Sequence, residues 1–295
     1  MFLYYSAVSP SWQMTAKTRL PPELVDQIID HLWDNQKALL ACSLTCRTWV
    51  PSSRLHLFRS VRVCSAADCT TLSALISSAP VITRCIQKFT VSADFSGTDG
   101  SEREEEGSDT WINAVAVLVA KLERVHTLAL SRLRWDVLSP GTKYAFATVF
   151  KNVKTLLLFE VRFHQSADVI RFLSAFPQLA ELYFHGVSWT HESLDPFSEE
   201  QSNSELLTRN TEHMQLTYLF LDPHSSPTLV TEWLLKHPVE QRLRTIELCW
   251  REMEDARALG DLLRASGSTL ERLQIEFPAG LSEEGEIPCS SWSDL

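Results

Sequence analysis

The hexapeptide VHTLAL at residues 125–130 returns as VKTLLL at 153–158 and LAELYF at 179–184: an apolar residue, two of any kind, then two apolar residues separated by one. The same pattern occurs as FRSVRV from Phe58, IQKFTV from Ile86, LTYLFL from Leu216, LRTIEL from Leu243 and LERLQI from Leu270. Start-to-start spacings along the eight copies are 28, 39, 28, 26, 37, 27 and 27. Apolar residues at alternate places read as a β-strand with one buried face. The two long spacings contain the polar runs SADFSGTDGSEREEEGSD (92–109) and HESLDPFSEEQSNSELLTRNTEH (191–213). Removing roughly ten residues from each restores the common period, as surface insertions in a repeat array allow.

Between the strand patterns lie segments of helical periodicity: Thr71 to Ser78, Trp111 to Leu122, Tyr144 to Phe150, Ala167 to Phe176, Leu229 to Lys236 and Ala256 to Ala265. Ser166 and Ser226-Pro227 suit helix starts, because a hydroxyl caps free N–H groups and a proline needs none in the first turn. Ala79-Pro80, Phe176-Pro177 and His237-Pro238 suit helix stops. A strand plus a helix at a period near 27 resembles a leucine-rich-repeat solenoid, over about residues 57 to 277. Parallel strands joined by helices coil right-handed. Where that family often places Asn or Cys after the strand, this chain has Leu133, Val161 and Val187, which predicts irregular turns packed by apolar contacts. A doubly wound sheet also alternates strand and helix, but its strands are covered on both faces and read as continuous apolar runs. Alternation here favours the solenoid.

Ahead of the repeats stands LPPELVDQIIDHLWDNQKALLACSLTCRTW, residues 20–49. Pro21 and Pro22 suit a first helical turn, Glu23 and Asp26 place negative charge at its positive end, and Leu24, Ile28 and Leu32 recur along one stripe beside Val25 and Ile29. Leu39, Leu40, Leu44 and Trp49 continue as one or two short helices, broken by Pro51. About 40 residues make a marginal core alone. The ordered series Leu-Pro-x-Glu-Leu, Ile28, His31-Leu32, Leu40, Cys42-Ser43-Leu44, Cys46-Arg47, Trp49 and Leu57-Phe58 resembles an F-box motif over residues 19–60. That resemblance implies docking on a Skp-type adaptor, and through it a cullin ubiquitin ligase, by Leu20, Pro21, Pro22, Ile28, Leu32, Leu40, Leu44 and Trp49. The plainer alternative is a non-catalytic repeat scaffold for protein–protein interaction, with these helices serving only to cap the solenoid's end.

Composition sets the outer bounds. Hydrophobic residues make up 44% and charged residues 22%, an ordinary globular mixture. A net charge of −10 argues against nucleic acid or an anionic membrane as partner and favours a basic one. The seven cysteines (42, 46, 64, 69, 85, 249 and 289) form no CxxC pair or Cys/His ligand set, which suits reduced thiols in the cytoplasm or nucleus. Residues 1–18 lack a basic start and a long apolar run and read as a flexible leader. The insertions near 92–109 and 190–213 read as surface additions, the acidic run Glu102 to Glu106 as solvated and the tail 278–295 as flexible, with the alternative that the 190–213 insertion or the tail folds over the open sheet face. No membrane-spanning stretch is present.

Function is expected on the face that the buried pairs leave open. The residue between the last two apolar places of each strand gives the column Arg62, Thr90, Ala129, Leu157, Tyr183, Phe220, Glu247 and Gln274. Its ends are polar and its centre is not. Phe159, His185 and Tyr218 flank that centre, with Glu181, Asp222 and Glu276 around it. An aromatic patch rimmed by acids suits a protein client with basic and apolar residues, and the expected client contacts are Leu157, Phe159, Tyr183, His185, Tyr218, Phe220 and Glu247. Phosphate and dinucleotide loops, GxSxG and HExxH are missing. His185, His191 and Glu192 make a weak metal set. The expectation is therefore no enzyme and no cofactor. The expected fold class is α/β, an N-terminal three-helix F-box module followed by a right-handed leucine-rich-repeat-like solenoid with a parallel sheet. Its expected role is the substrate-recognition subunit of a Skp/cullin/F-box ubiquitin ligase.

Overall fold

The computed structural model describes residues 20–93, 111–192, 214–222, 225, 227–236, 242–249 and 256–276. The leader, the acidic run, most of both insertions and the tail lie outside them. Two compact units emerge, Met1–Leu57 and Phe58–Leu295.

The first unit holds three helices: α1 Pro22–Asp30, α2 Gln36–Thr45 and α3 Val50–Leu57. Pro22 opens α1 where its missing N–H costs nothing, and the Asn35 side chain caps α2 by accepting from the Ala38 N–H at 3.0 Å. Val25, Ile29 and Leu39 form the buried core, with Leu32, Trp49 and Leu57 packed against it. The inward stripe of α1 is thus Val25–Ile29, while Leu24 and Ile28 remain exposed. Pro51 does not break a helix, as the sequence suggests, but sits in the first turn of α3, where no intrahelical N–H is needed. Two polar ties join α1 to α3: Ser52 Oγ donates to Asp26, and His56 Nε2 lies 2.7 Å from Asp30 Oδ1.

The second unit is an α/β layer with an eight-stranded sheet, all of whose described pairings are parallel. Its strands are β1 Ser60–Val63, β2 Lys88–Ser92, β3 Thr127–Ser131, β4 Thr155–Phe159, β6 Glu181–His185, β8 Tyr218–Leu221, β9 Thr245–Cys249 and β10 Arg272–Glu276. They coincide with the eight hexapeptides. Their spatial order, β1-β2-β3-β4-β6-β8-β9-β10, follows the chain without the reversal that a doubly wound sheet requires. At each of the seven junctions one carbonyl accepts two consecutive N–H groups of the next unit; Gln87 O, for example, takes His126 N at 2.8 Å and Thr127 N at 3.0 Å.

Helices α4 Ala66–Ser78, α5 Ile112–Val119, α6 Pro140–Val149, α7 Ser166–Leu173, α8 Pro227–Lys236 and α9 Ala256–Ser266 fall between the strands. Neighbours α4 and α5, α5 and α6, α7 and α8, and α8 and α9 pack side by side. The α7 cap position is Gln165 rather than Ser166. Leu128, Leu156, Leu182, Leu219 and Ile246 are fully buried in one continuous core with residues from these helices. Trp135 centres an aromatic cluster within it, its ring 4.5 Å from Phe172, 5.5 Å from Phe163 and 5.9 Å from Phe146. No helix among the described residues is long and apolar enough to cross a membrane.

A second small sheet pairs β5 Arg162–Gln165 with β7 Ser188–His191. The sequence does not announce these strands: RFHQ and SWTH each offer one apolar residue, Phe163 and Trp189. They pair because the turns before them repeat. Arg132, Glu160 and Gly186 each follow a strand and take φ of 54°, 52° and 60°, and Leu133, Val161 and Val187 then insert into the core. The turns are therefore regular, against the expectation of irregular ones, because one left-handed residue per unit re-aims the chain identically.

Gly186→Ala should destabilise the protein by roughly 1–2 kcal/mol, since a Cβ at φ +60° would lie 3.2 Å from Glu160 Cγ. Gly260→Ala, inside α9 with nothing within 4 Å of the added methyl, should stabilise it by up to about 1 kcal/mol. Urea unfolding of both variants checks the opposite signs.

Candidate functional site

Alternation along the strands separates two faces. In β3, β4, β6 and β9 the second and fourth residues are buried and the others are partly exposed. Strand register then aligns Arg62, Thr90, Ala129, Leu157, Tyr183, Phe220, Glu247 and Gln274 as one row, each the Cα partner of the next. Thr155, Glu181, Tyr218, Thr245 and Arg272 form a parallel row one pleat earlier, and Phe159 pairs with His185 one pleat later. The seven residues expected to meet a client thus lie on one side of four adjacent strands.

The rings make contact across those strands. Tyr183 lies 4.7 Å from Tyr218 at a tilt of 33° and 6.5 Å from Phe220 at 28°, so the three rings stack against one another across the strands. Phe159 meets His185 edge-on at 4.5 Å. Aromatic pairs at such spacings contribute about 0.5–1.5 kcal/mol beyond their burial and hold the side chains to one arrangement.

Carboxylates edge this stack. Tyr218 Oη donates to Glu247 Oε2 at 2.8 Å, and Thr155 Oγ1 donates to Glu181 Oε2 at 3.1 Å. Burial first, and then the negative charge of Glu181 and Glu247, push the Tyr183 hydroxyl above its usual pKa despite the hydrogen bond to Tyr218. Burial and the bond to Glu247 push Tyr218 up more strongly. Both phenols are therefore held protonated, with Tyr218 the donor to Glu247. At the sheet's edge Glu276 accepts from Gln274 Nε2 at 3.2 Å and from Cys249 Sγ at 3.5 Å.

Asp222 departs from its expected place among the surface acids. It is 3% exposed and closes the end of the sheet. Its Oδ2 accepts from His185 Nδ1 at 2.6 Å and from the Gly186 N–H at 2.9 Å, while Oδ1 accepts from the Ser225 N–H at 2.9 Å and from Ser225 Oγ at 2.6 Å. An ionised carboxylate only accepts, so His185 carries its proton on Nδ1 in this bond. Burial would raise the Asp222 carboxyl, but the bonds from His185, Ser225 and Gly186 outweigh it and hold the pKa below the ordinary value. Ser225 Oγ also accepts from the Val187 N–H at 3.2 Å. Asp222 and Ser225 bond each other three residues apart, but the turn they secure at His185, Gly186 and Val187 lies 36 to 38 residues away, and no local pattern announces it.

His191 sits on β7 of the small sheet, its ring 5.0 Å from that of His164 and thus on a different sheet from His185. Among the described residues no group of three or more His, Cys, Asp or Glu side chains is arranged to hold a metal ion.

In the helical unit the residues expected to dock on an adaptor divide in two. Leu20, Pro21, Pro22, Ile28, Leu40 and Leu44 are exposed, Leu44 to 87%, whereas Leu32 and Trp49 pack against the small core. A scan against protein-family models gives no match to this chain, and a search of curated proteins gives none either.

Because its folded pKa is depressed, Asp222 contributes stability that is fully present above the unfolded carboxylate value, about pH 4. That contribution is lost as pH falls through the lower folded value. Unfolding midpoints followed from neutral pH downward should drop more steeply for the wild type than for Asp222→Asn. At neutral pH Asp222→Ala should cost about 3 kcal/mol by leaving buried N–H donors without their acceptor.

Proposed function

We propose that this protein is the substrate-recognition subunit of a Skp/cullin/F-box ubiquitin ligase. On this reading the three-helix unit is an F-box that docks on a Skp-type adaptor, and the eight-stranded unit is a right-handed, leucine-rich-repeat-like solenoid that holds a protein client on its partly exposed sheet face. The protein supplies no catalytic group. It raises the effective concentration of the client's lysines at the ubiquitin-loaded enzyme, so the acceleration comes from positioning.

The observation that carries this reading is the two-sidedness of the small helical unit. Val25, Ile29 and Leu39 are spent on its core, while Leu20, Leu24, Ile28, Leu40 and Leu44 stay at least 43% exposed. A unit with so small a core that still presents this many large apolar side chains to solvent is built to be covered by a partner. The motif resemblance supplies the kind of partner. Sequential strand order and a conserved junction geometry from unit to unit support the solenoid, and the aromatic row with its acidic edge supports the client face.

The paired variants Leu40→Asp/Leu44→Asp and Leu20→Ala/Pro21→Ala test it. Each should cut recovery of the co-expressed adaptor by more than about tenfold, the loss expected when interface anchors of 2 kcal/mol or so are removed. The helical circular dichroism signal should be kept. Unchanged adaptor recovery by folded variants rejects the assignment.

A further inference from the structure

The sheet ends on a strand whose apolar face is left unfinished. In β3, β4, β6, β8 and β9 the second residue is Leu128, Leu156, Leu182, Leu219 or Ile246, each fully buried. The same place in β10 is Leu273, which is 42% exposed, and Ile275 two places on is half-buried where Leu221 and Leu248 are buried. β10 is last in the strand order, and among the described residues no strand pairs with its outer edge. Arg272 N donates toward β9, to Arg244 O at 2.8 Å. Successive residues of a strand direct their N–H and C=O groups to opposite sides, so those of Leu273 and Ile275 face outward, away from β9. RLQIE carries neither the proline nor the lysine that commonly blunts such an edge, and its register with β9 runs from Arg272 to Glu276 without a bulge.

We propose that β10 pairs antiparallel with β10 of a second copy of this chain, about a two-fold axis at Gln274. Under that operation the strand is its own complement. With Gln274 facing its equivalent, Arg272 of each copy falls opposite Glu276 of the other, so unlike charges meet at both ends of the pairing. Leu273 meets Ile275 on the core side, and each copy covers the apolar strip that the other leaves open. The backbone agrees with this register. It makes Leu273 and Ile275 a hydrogen-bonded pair, which their outward groups require, and puts Arg272, Gln274 and Glu276 at the non-hydrogen-bonded places, where opposed Cα atoms approach to about 4.5 Å. A shift of two residues keeps the hydrogen bonds but sets Arg272 against Gln274 and loses both charge pairs. Within one chain the three polar side chains are tied along the strand, Arg272 Nη2 donating to Gln274 Oε1 at 3.1 Å and Gln274 Nε2 to Glu276 Oε1 at 3.2 Å. The Arg272 side chain is 66% exposed and Glu247 Oε1 lies 4.0 Å from it, while Glu276 also accepts from Cys249 Sγ at 3.5 Å. Contacts so open to water are weak and give way to a cross-strand ion pair.

Sedimentation equilibrium of the full chain over a range of concentrations should show a dimer in exchange with monomer. Arg272→Glu and Glu276→Arg each set like charges at both ends of the pairing and should weaken it at least about tenfold. A mixture of these two variants should form a heterodimer as tight as the wild-type dimer, because one brings two acids and the other two bases, and the double swap Arg272→Glu/Glu276→Arg should dimerise by itself. Gln274→Cys should form an interchain disulfide under mild oxidation, since opposed Cα atoms at about 4.5 Å lie within the span of that bond, whereas Arg272→Cys, which faces Glu276, should not. Recovery of the dimer on mixing shows that both charge variants fold. A chain that stays monomeric at every concentration overturns the inference, whether its own tail or another protein covers the edge. Dimerisation that neither charge variant weakens also overturns it and places the contact elsewhere, on the exposed apolar side of the helical unit for example. Failure of the mixed variants to pair, or open-ended association through β10 against β1 of the next copy, rejects the two-fold pairing.

Discussion

A strand covered by helices on one side only cannot stand alone, and in this protein each strand is completed by the next unit arriving in the same register. One carbonyl per junction accepts two N–H groups from its successor, from Arg59 O with Gln87 and Lys88 through to Arg244 O with Glu271 and Arg272. That constraint fixes which residues meet. Because every junction is made alike, Leu128 falls beside Leu156 and Leu182 in the core, and Ala129 beside Leu157 and Tyr183 on the opposite face. The open aromatic row is thus a by-product of core packing. A slip of one residue in β6 against its neighbours would bury Tyr183 and expose Phe184.

The ends of the strands obey a second rule. After β3, β4 and β6 the chain must turn sharply toward the core, and it does so with a residue at positive φ, two of them not glycine. Arg132 and Glu160 bear that strain while linking to each other, Arg132 Nε donating to Glu160 Oε2 at 3.1 Å. Gly186 occupies the third such place, where φ of +60° strains any side chain and a Cβ would crowd Glu160 at 3.2 Å. Below it no further left-handed turn is described, and the polar satisfaction passes to Asp222. That carboxylate ties the Gly186 turn to Ser225 and fixes the His185 ring against Phe159, so one buried charge orients the upper part of the aromatic face.

The two units spend their apolar residues in opposite ways. In the larger, helices and strands share one continuous core, and the partly exposed rings on the sheet face pack against one another. In the smaller, three apolar residues are buried with Leu32, Trp49 and Leu57 packed against them, while Leu20, Leu24, Ile28, Leu40 and Leu44 stay exposed.

Period and patterning were enough, from the sequence, to set out the eight strands, their parallel pairing in chain order, the intervening helices and the row from Arg62 to Gln274, since side-chain alternation and repeat spacing are properties of adjacent residues. The sequence also located the patch of Leu157, Tyr183 and Phe220 once register was assumed. Tertiary structure alone decided the rest. It chose Val25 and Ile29 over Leu24 and Ile28 as the inward side of α1, paired β5 with β7, and withdrew Asp222 from the surface into a cap. It also brought Glu181 and Glu247 to either side of one ring pair from positions 66 residues apart. Each of these depends on which distant groups a side chain meets, and a meeting between distant groups leaves no periodic mark on the chain.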